Sequence, residues 1–119
     1  MSDATVTIYH NPRCSKSRET LSLLQSKGIE PDVVLYLDNP PDAATLRNLV
    51  KMLGMSSARE LLRDKEDLYV SLGLADPALK EEAIVMAMVE HPKLIERPIV
   101  VKNGKARIGR PPEQVLDIL

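Results

Sequence analysis

Residues 5–37 read TVTIYHNPRCSKSRETLSLLQSKGIEPDVVLYL, and the rest of the architecture builds out from this run. Thr5 to His10 is rich in β-branched residues and predicts a strand. Ser15 to Lys27 predicts a helix, with Leu21 and Leu24 on one face and Gly28 as its stop. Asp32 to Leu37 is a near-continuous apolar run, the pattern of a strand buried on both faces. Strand, helix and strand at this spacing form a βαβ unit, with parallel strands and a right-handed crossover. The turn from the first strand into the helix carries Cys14, the one cysteine among 119 residues.

Asn39-Pro40-Pro41 breaks the chain after the second strand. Asp42 is a natural N-cap, and Leu46, Leu49, Val50 and Leu53 form a helical stripe ending at Gly54. Ser56 or Ser57 caps a short helix through Arg63. Further helices are predicted over 66–72 and 77–90, the latter with Ile84, Ala87 and Met88 inward. Residues 42–90 thus read as a helical insert, and the charge runs 63–67 and 80–82 as solvated surface. Arg97-Pro98 then precedes a strand, Ile99 to Lys102. Asn103-Gly104 is a two-residue hairpin signal, and Lys105 to Ile108 is the returning strand. Pro111-Pro112 opens a last helix with Val115, Leu116 and Leu119 on one face. The order β-α-β, helical insert, β-β-α is the thioredoxin-like arrangement: an α/β chain with a four-stranded mixed sheet flanked by helices and carrying a helical insertion. Residues 1–119 are expected to form a single domain.

Composition narrows the function. With no Phe or Trp, the core must be built from Leu, Ile, Val, Met and Ala. A net charge of -1 argues against bulk electrostatic binding to nucleic acid or anionic membrane. Met1 to Ala4 has no signal-peptide character, the longest apolar run is too short to span a bilayer, and a lone cysteine makes no internal disulfide. These features predict a soluble cytoplasmic protein. One cysteine and two scattered histidines, His10 and His91, make no metal-ligand set.

Backbone N–H groups at a helix start favour an anion, and so favour thiolate over thiol at Cys14. Arg13, Lys16 and Arg18 are further positive charges close in sequence. The functional reading is a nucleophilic thiolate acting on an oxyanion; the alternative is a buried structural cysteine. Cys14-Ser15-Lys16-Ser17 has the form C-x-x-S. Ser17 can donate a hydrogen bond to a thiolate but cannot resolve a mixed disulfide, so any redox cycle at Cys14 must finish on another molecule's thiol. The spacing also differs from the C-x-x-x-x-x-R loop of phosphatase-type enzymes. His10 has two readings: an imidazolium that stabilises the thiolate, or a loop residue bonded to backbone. Arg97-Pro98 stands where a thioredoxin fold places a cis-proline loop facing the cysteine, which makes Pro98 the candidate for a cis bond. Arg107, opposite in direction to Ile108 on the last strand, is read as structural.

His10-Asn11-Pro12-Arg13-Cys14-Ser15-Lys16-Ser17-Arg18 resembles the active-site signature of the glutaredoxin-linked arsenate reductases. The resemblance extends over nearly the whole chain, through 35–41, 60–63, 91–101 and Ile108-Gly109-Arg110-Pro111. It is to the shorter, single-cysteine kind, without the C-terminal segment that longer members carry after the last helix. It implies that Cys14 attacks the arsenic of arsenate and that His10 lies close and helps keep it ionised. It further implies that Arg63, Arg97 and Arg110 bind the oxyanion, with Pro98 and Ser17 as structural neighbours. It implies as well that no cofactor is bound, that glutathione is a co-substrate and glutaredoxin the partner that reduces the enzyme, and that the enzyme acts as a monomer. Two other classes share the fold. Spx-type transcription regulators bind RNA polymerase but typically carry C-x-x-C and lack the His-Asn-Pro entry. A monothiol glutathione-linked oxidoreductase with another substrate would keep Cys14 without requiring the three arginines.

Overall fold

A computed structural model describes residues 5–119. The reading of Met1 to Ala4 lies outside the described residues. The chain divides into two compact units: one contains the chain up to Asn39 together with Arg97–Leu119, and the other is Pro40–Glu96.

The first unit is a four-stranded mixed sheet with flanking helices. Strand β1 (Thr7–His10) leads into helix α1 (Ser15–Ser26), which returns the chain to β2 (Asp32–Leu35). The sheet is completed by β3 (Ile99–Lys102) and β4 (Lys105–Ile108). The order is β2-β1-β3-β4, with β1 parallel to β2 and antiparallel to β3. Asn103 and Gly104 both take positive φ, 54° and 75°, as a tight hairpin between right-twisted strands requires. Alternation along β1 buries Val6, Ile8 and His10 and turns Thr7 and Tyr9 the other way. Ile8 pairs with Val100, and these two pack with Val6, Leu24 of α1, Val115 and Ile118. Burying each such side chain contributes roughly 1.5–3 kcal/mol relative to leaving it in water.

Two expectations change. The second strand stops at Leu35, because the N–H groups of Asp38 and Asn39 both turn back to the Leu35 carbonyl, at 3.0 and 2.9 Å. Nor is it buried on both faces: Val33 is 45% exposed and Leu35 37%. It is the sheet's edge, paired only with β1, so its apolar run cannot be shielded as an interior strand would be. The terminal segment is a 3-10 helix, Pro112–Ile118. With three residues per turn its buried face is Pro112, Val115 and Ile118, so Leu116 is exposed instead of inward.

The second unit is helical. Helix α2 (Ala43–Met52) starts at Asp42, whose carboxylate accepts the Thr45 N–H at 2.8 Å. Its stripe buries Leu46, Leu49 and Val50, while Leu53 is only partly covered. Ser57 and Glu60 form a capping box on a 3-10 turn, Ala58–Leu61. Helix α3 is Asp67–Ser71, and α4 (Glu81–Glu90) buries Ile84, Val85, Ala87 and Met88. No helix among the described residues is long and apolar enough to cross a membrane.

Candidate active site

The turn after β1 is held closed from within. The Cys14 N–H donates to the Asn11 carbonyl at 3.0 Å, and the Arg13 N–H donates to Asn11 Oδ1 at 3.0 Å. Helix α1 then grips the turn at two points. The Arg18 guanidinium donates to the Pro12 carbonyl at 2.9 Å. Ser17 Oγ accepts the Asn11 N–H at 2.9 Å and lies 2.6 Å from His10 Nδ1. His10 reaches Ser17 because strand alternation aims it at the face that α1 covers.

Cys14 is the N-cap residue of α1 and is buried. The first turn of α1 contains no acidic side chain, so its N-terminal field is available to an anion. Burial by itself would raise the Cys14 thiol, but the Ser17 N–H, the Arg97 charge, the Lys16 N–H and the Arg110 charge outweigh it and set it below the ordinary thiol value. The side-chain charges acting on the sulfur are thus not those of Arg13, Lys16 or Arg18, the near neighbours in sequence. They are Arg97 and Arg110, which the sheet returns to the cysteine from the far end of the chain.

Burial, and then the Arg18 charge, lower the His10 pKa from its ordinary value and so favour the neutral ring. Its contact with the turn runs through Ser17. Which of the Ser17 hydroxyl and His10 Nδ1 donates depends on the imidazole tautomer.

Arg97 and Arg110 each precede a proline, and both Arg97-Pro98 and Arg110-Pro111 are cis. Gly109 ties the two segments together. Its N–H donates to the Pro98 carbonyl at 3.0 Å, and a Cβ on it would strike the Thr20 side chain and stand 3.0 Å from Pro98 Cγ. Arg63 belongs to the second unit. Its guanidinium is 2.9 Å from Glu66 and 4.0 Å from Glu96, and the Arg63 backbone N–H donates to the Leu94 carbonyl at 2.8 Å. Arg107 donates to the neighbouring Ala106 carbonyl at 2.8 Å and lies 3.9 Å from Asp117. Sequence reading gave Asn11 and Gly109 no role, took Arg18 only as a charge near the thiol, and did not foresee the second cis bond. For Asn11 and Arg18 the signal was their place beside Cys14; Gly109 and Thr20, 89 positions apart, carried none.

A family model described as the ArsC family matches residues 9–118. The chain belongs to the ArsC family. An Escherichia coli K12 member, described as uncharacterized protein YfgD, is 73% identical over 114 residues, covering 96% of both chains. The arsenate reductase of Neisseria meningitidis serogroup B is 52% identical over 96% of this chain and 97% of that protein. Among solved ArsC structures, the arsenate reductase from Vibrio cholerae is 56% identical and superposes with a TM-score of 0.97 over 99% of this chain and all of that one.

Proposed function

We propose that this chain is an arsenate reductase working through a covalent Cys14–arsenate, with glutathione and glutaredoxin as reductants in the cytoplasm. The observation that carries the proposal is a buried thiol at a helix N-terminus, held low by two backbone N–H groups and two arginines. The ArsC relatives named as arsenate reductases support the choice of oxyanion.

The Cys14 thiolate attacks arsenic and an arsenate oxygen leaves as water after protonation, forming a sulfur–arsenic bond. Arg97 and Arg110 neutralise the charge on the remaining oxygens; planar forks making paired hydrogen bonds suit this task. The glutathione thiolate next attacks Cys14 Sγ. The sulfur–arsenic bond breaks with its electron pair staying on arsenic, which leaves as arsenite, two electrons richer. The two sulfurs are oxidised to a mixed disulfide, and glutaredoxin takes the glutathionyl group and frees the Cys14 thiolate. No second cysteine exists in the chain to do this internally, which is why the cycle needs outside thiols. The assignment of Arg63 to oxyanion binding rests on the family resemblance.

The test is glutathione- and glutaredoxin-coupled NADPH oxidation with arsenate, comparing wild type and Cys14→Ser. Arsenate-dependent turnover that vanishes in the variant is expected. A folded wild-type chain with a low-pKa Cys14 and no arsenate turnover would remove arsenate as the substrate.

A further inference from the structure

A cavity of about 290 Å³ opens on the β2 side of the Cys14 turn. His10 at the end of β1 and Asn11, Pro12 and Arg13 of the turn line one side, and Leu35 at the end of β2 with Leu37 and Asp38 beyond it line the other. That volume lies at the small end of ligand sites, room for one end of a small peptide. Its chemistry is divided: two leucines form an apolar wall, with one cation and one anion beside them. Among the described residues, no other side chain pairs with the Arg13 guanidinium or the Asp38 carboxylate. The charge of Arg13 is not among those that act on the Cys14 sulfur.

The sheet order gives this cavity its meaning. β1 lies between β2 on one side and β3 and β4 on the other. Arg97 precedes β3 and Arg110 follows β4, so the oxyanion-binding charges reach Cys14 from that second side. When a thiolate displaces arsenic from Cys14 Sγ, the attacking sulfur, Sγ and arsenic must lie nearly in line. With arsenic on the β3–β4 side, the attacking thiol has to arrive from the β2 side, where the cavity is.

We infer that this cavity is the subsite for the thiol co-substrate, and that Arg13 and Asp38 hold the zwitterionic α-amino-acid end of the γ-glutamyl thiol. Arg13 takes the carboxylate, Asp38 takes the ammonium group, and Leu35 and Leu37 cover the methylenes between. The in-line argument rests on the thiol–arsenate reading above.

The test separates the two. In the coupled assay, Asp38→Asn and Arg13→Gln should each raise the KM for glutathione about tenfold, the scale of one charge-assisted hydrogen bond near the surface. The KM for arsenate and the alkylation rate of Cys14 should stay at wild-type values. A second arm uses no arsenate. Cys14 thiolate is reacted with glutathione disulfide or with bis(2-hydroxyethyl) disulfide, releasing one thiolate and leaving a mixed disulfide. Wild type should prefer glutathione disulfide, and both variants should lose that preference. If the preference is absent in wild type, or persists in both variants, the subsite is refuted. If the preference behaves as expected in a chain that does not reduce arsenate, the subsite stands and only the arsenate reading falls.

Discussion

Gly109→Ala sets two effects of opposite sign against each other. Gly109 has no positive φ, so alanine is allowed there and would ordinarily stabilise by about 0.4–1 kcal/mol through the unfolded chain. The new methyl, however, drives into Thr20 Oγ1, with Thr20 Cγ2 at 3.1 Å and Pro98 Cγ at 3.0 Å. Thr20 cannot swing clear: it is fully buried, and its hydroxyl donates to the Lys16 carbonyl at 2.8 Å. Overpacking of this kind costs about 1–3 kcal/mol, so the collision wins and the net loss is about 1–2 kcal/mol. Thr20→Ala alone forfeits a neutral hydrogen bond, about 0.5–1.5 kcal/mol. The double variant removes the group that is struck and should recover about 1–2 kcal/mol relative to the sum of the singles. Urea unfolding at 25 °C, read as midpoints at constant slope, measures all three. The Cys14 alkylation midpoint should rise in Gly109→Ala, because Arg97 and Arg110 flank the displaced contact, and fall back in the double variant. Single effects that add to within about 0.5 kcal/mol, or a neutral Gly109→Ala, would refute the close approach.

The rate of Cys14 alkylation against pH should show a midpoint below that of a free thiol, and Arg97→Gln and Arg110→Gln should each move it up; an unmoved midpoint in both would exclude the arginines as its cause. Because the folded thiol is depressed, its stabilising contribution is present above the unfolded pKa and is lost as pH falls through the folded one, so Cys14→Ser should flatten the stability profile across that window. His10, depressed by burial and then by Arg18, should titrate by NMR below 6.5; the unfolded chain takes the proton first, so stability falls as pH drops below that value, and His10→Gln should remove this slope. Arg97→Lys should lose far more arsenate turnover than a charge-conserving change suggests, since a point charge cannot replace a two-pronged donor; wild-type kcat/KM would remove Arg97 from the oxyanion site.

Local signals carried much of this protein. The strand into Cys14, the helix out of it, the Asp42 cap and the Asn103-Gly104 hairpin were legible, because each is set by neighbours a few positions apart in the chain; Pro98 was a candidate for a cis bond only through its place in the fold. A single cysteine also means that any redox cycle at Cys14 would have to finish on another molecule's thiol. Tertiary structure decided the rest. An apolar run such as Asp32 to Leu35 reads the same in a central strand as at an edge; only the pairing partners distinguish them. The charges that act on Cys14 come from residues 83 and 96 positions away, because electrostatic effect follows distance in space and not in sequence. The contact between His10 and Ser17 exists only because α1 packs over the end of β1 and buries them together. Gly109 matters only because Thr20 and Pro98 stand where its side chain would be.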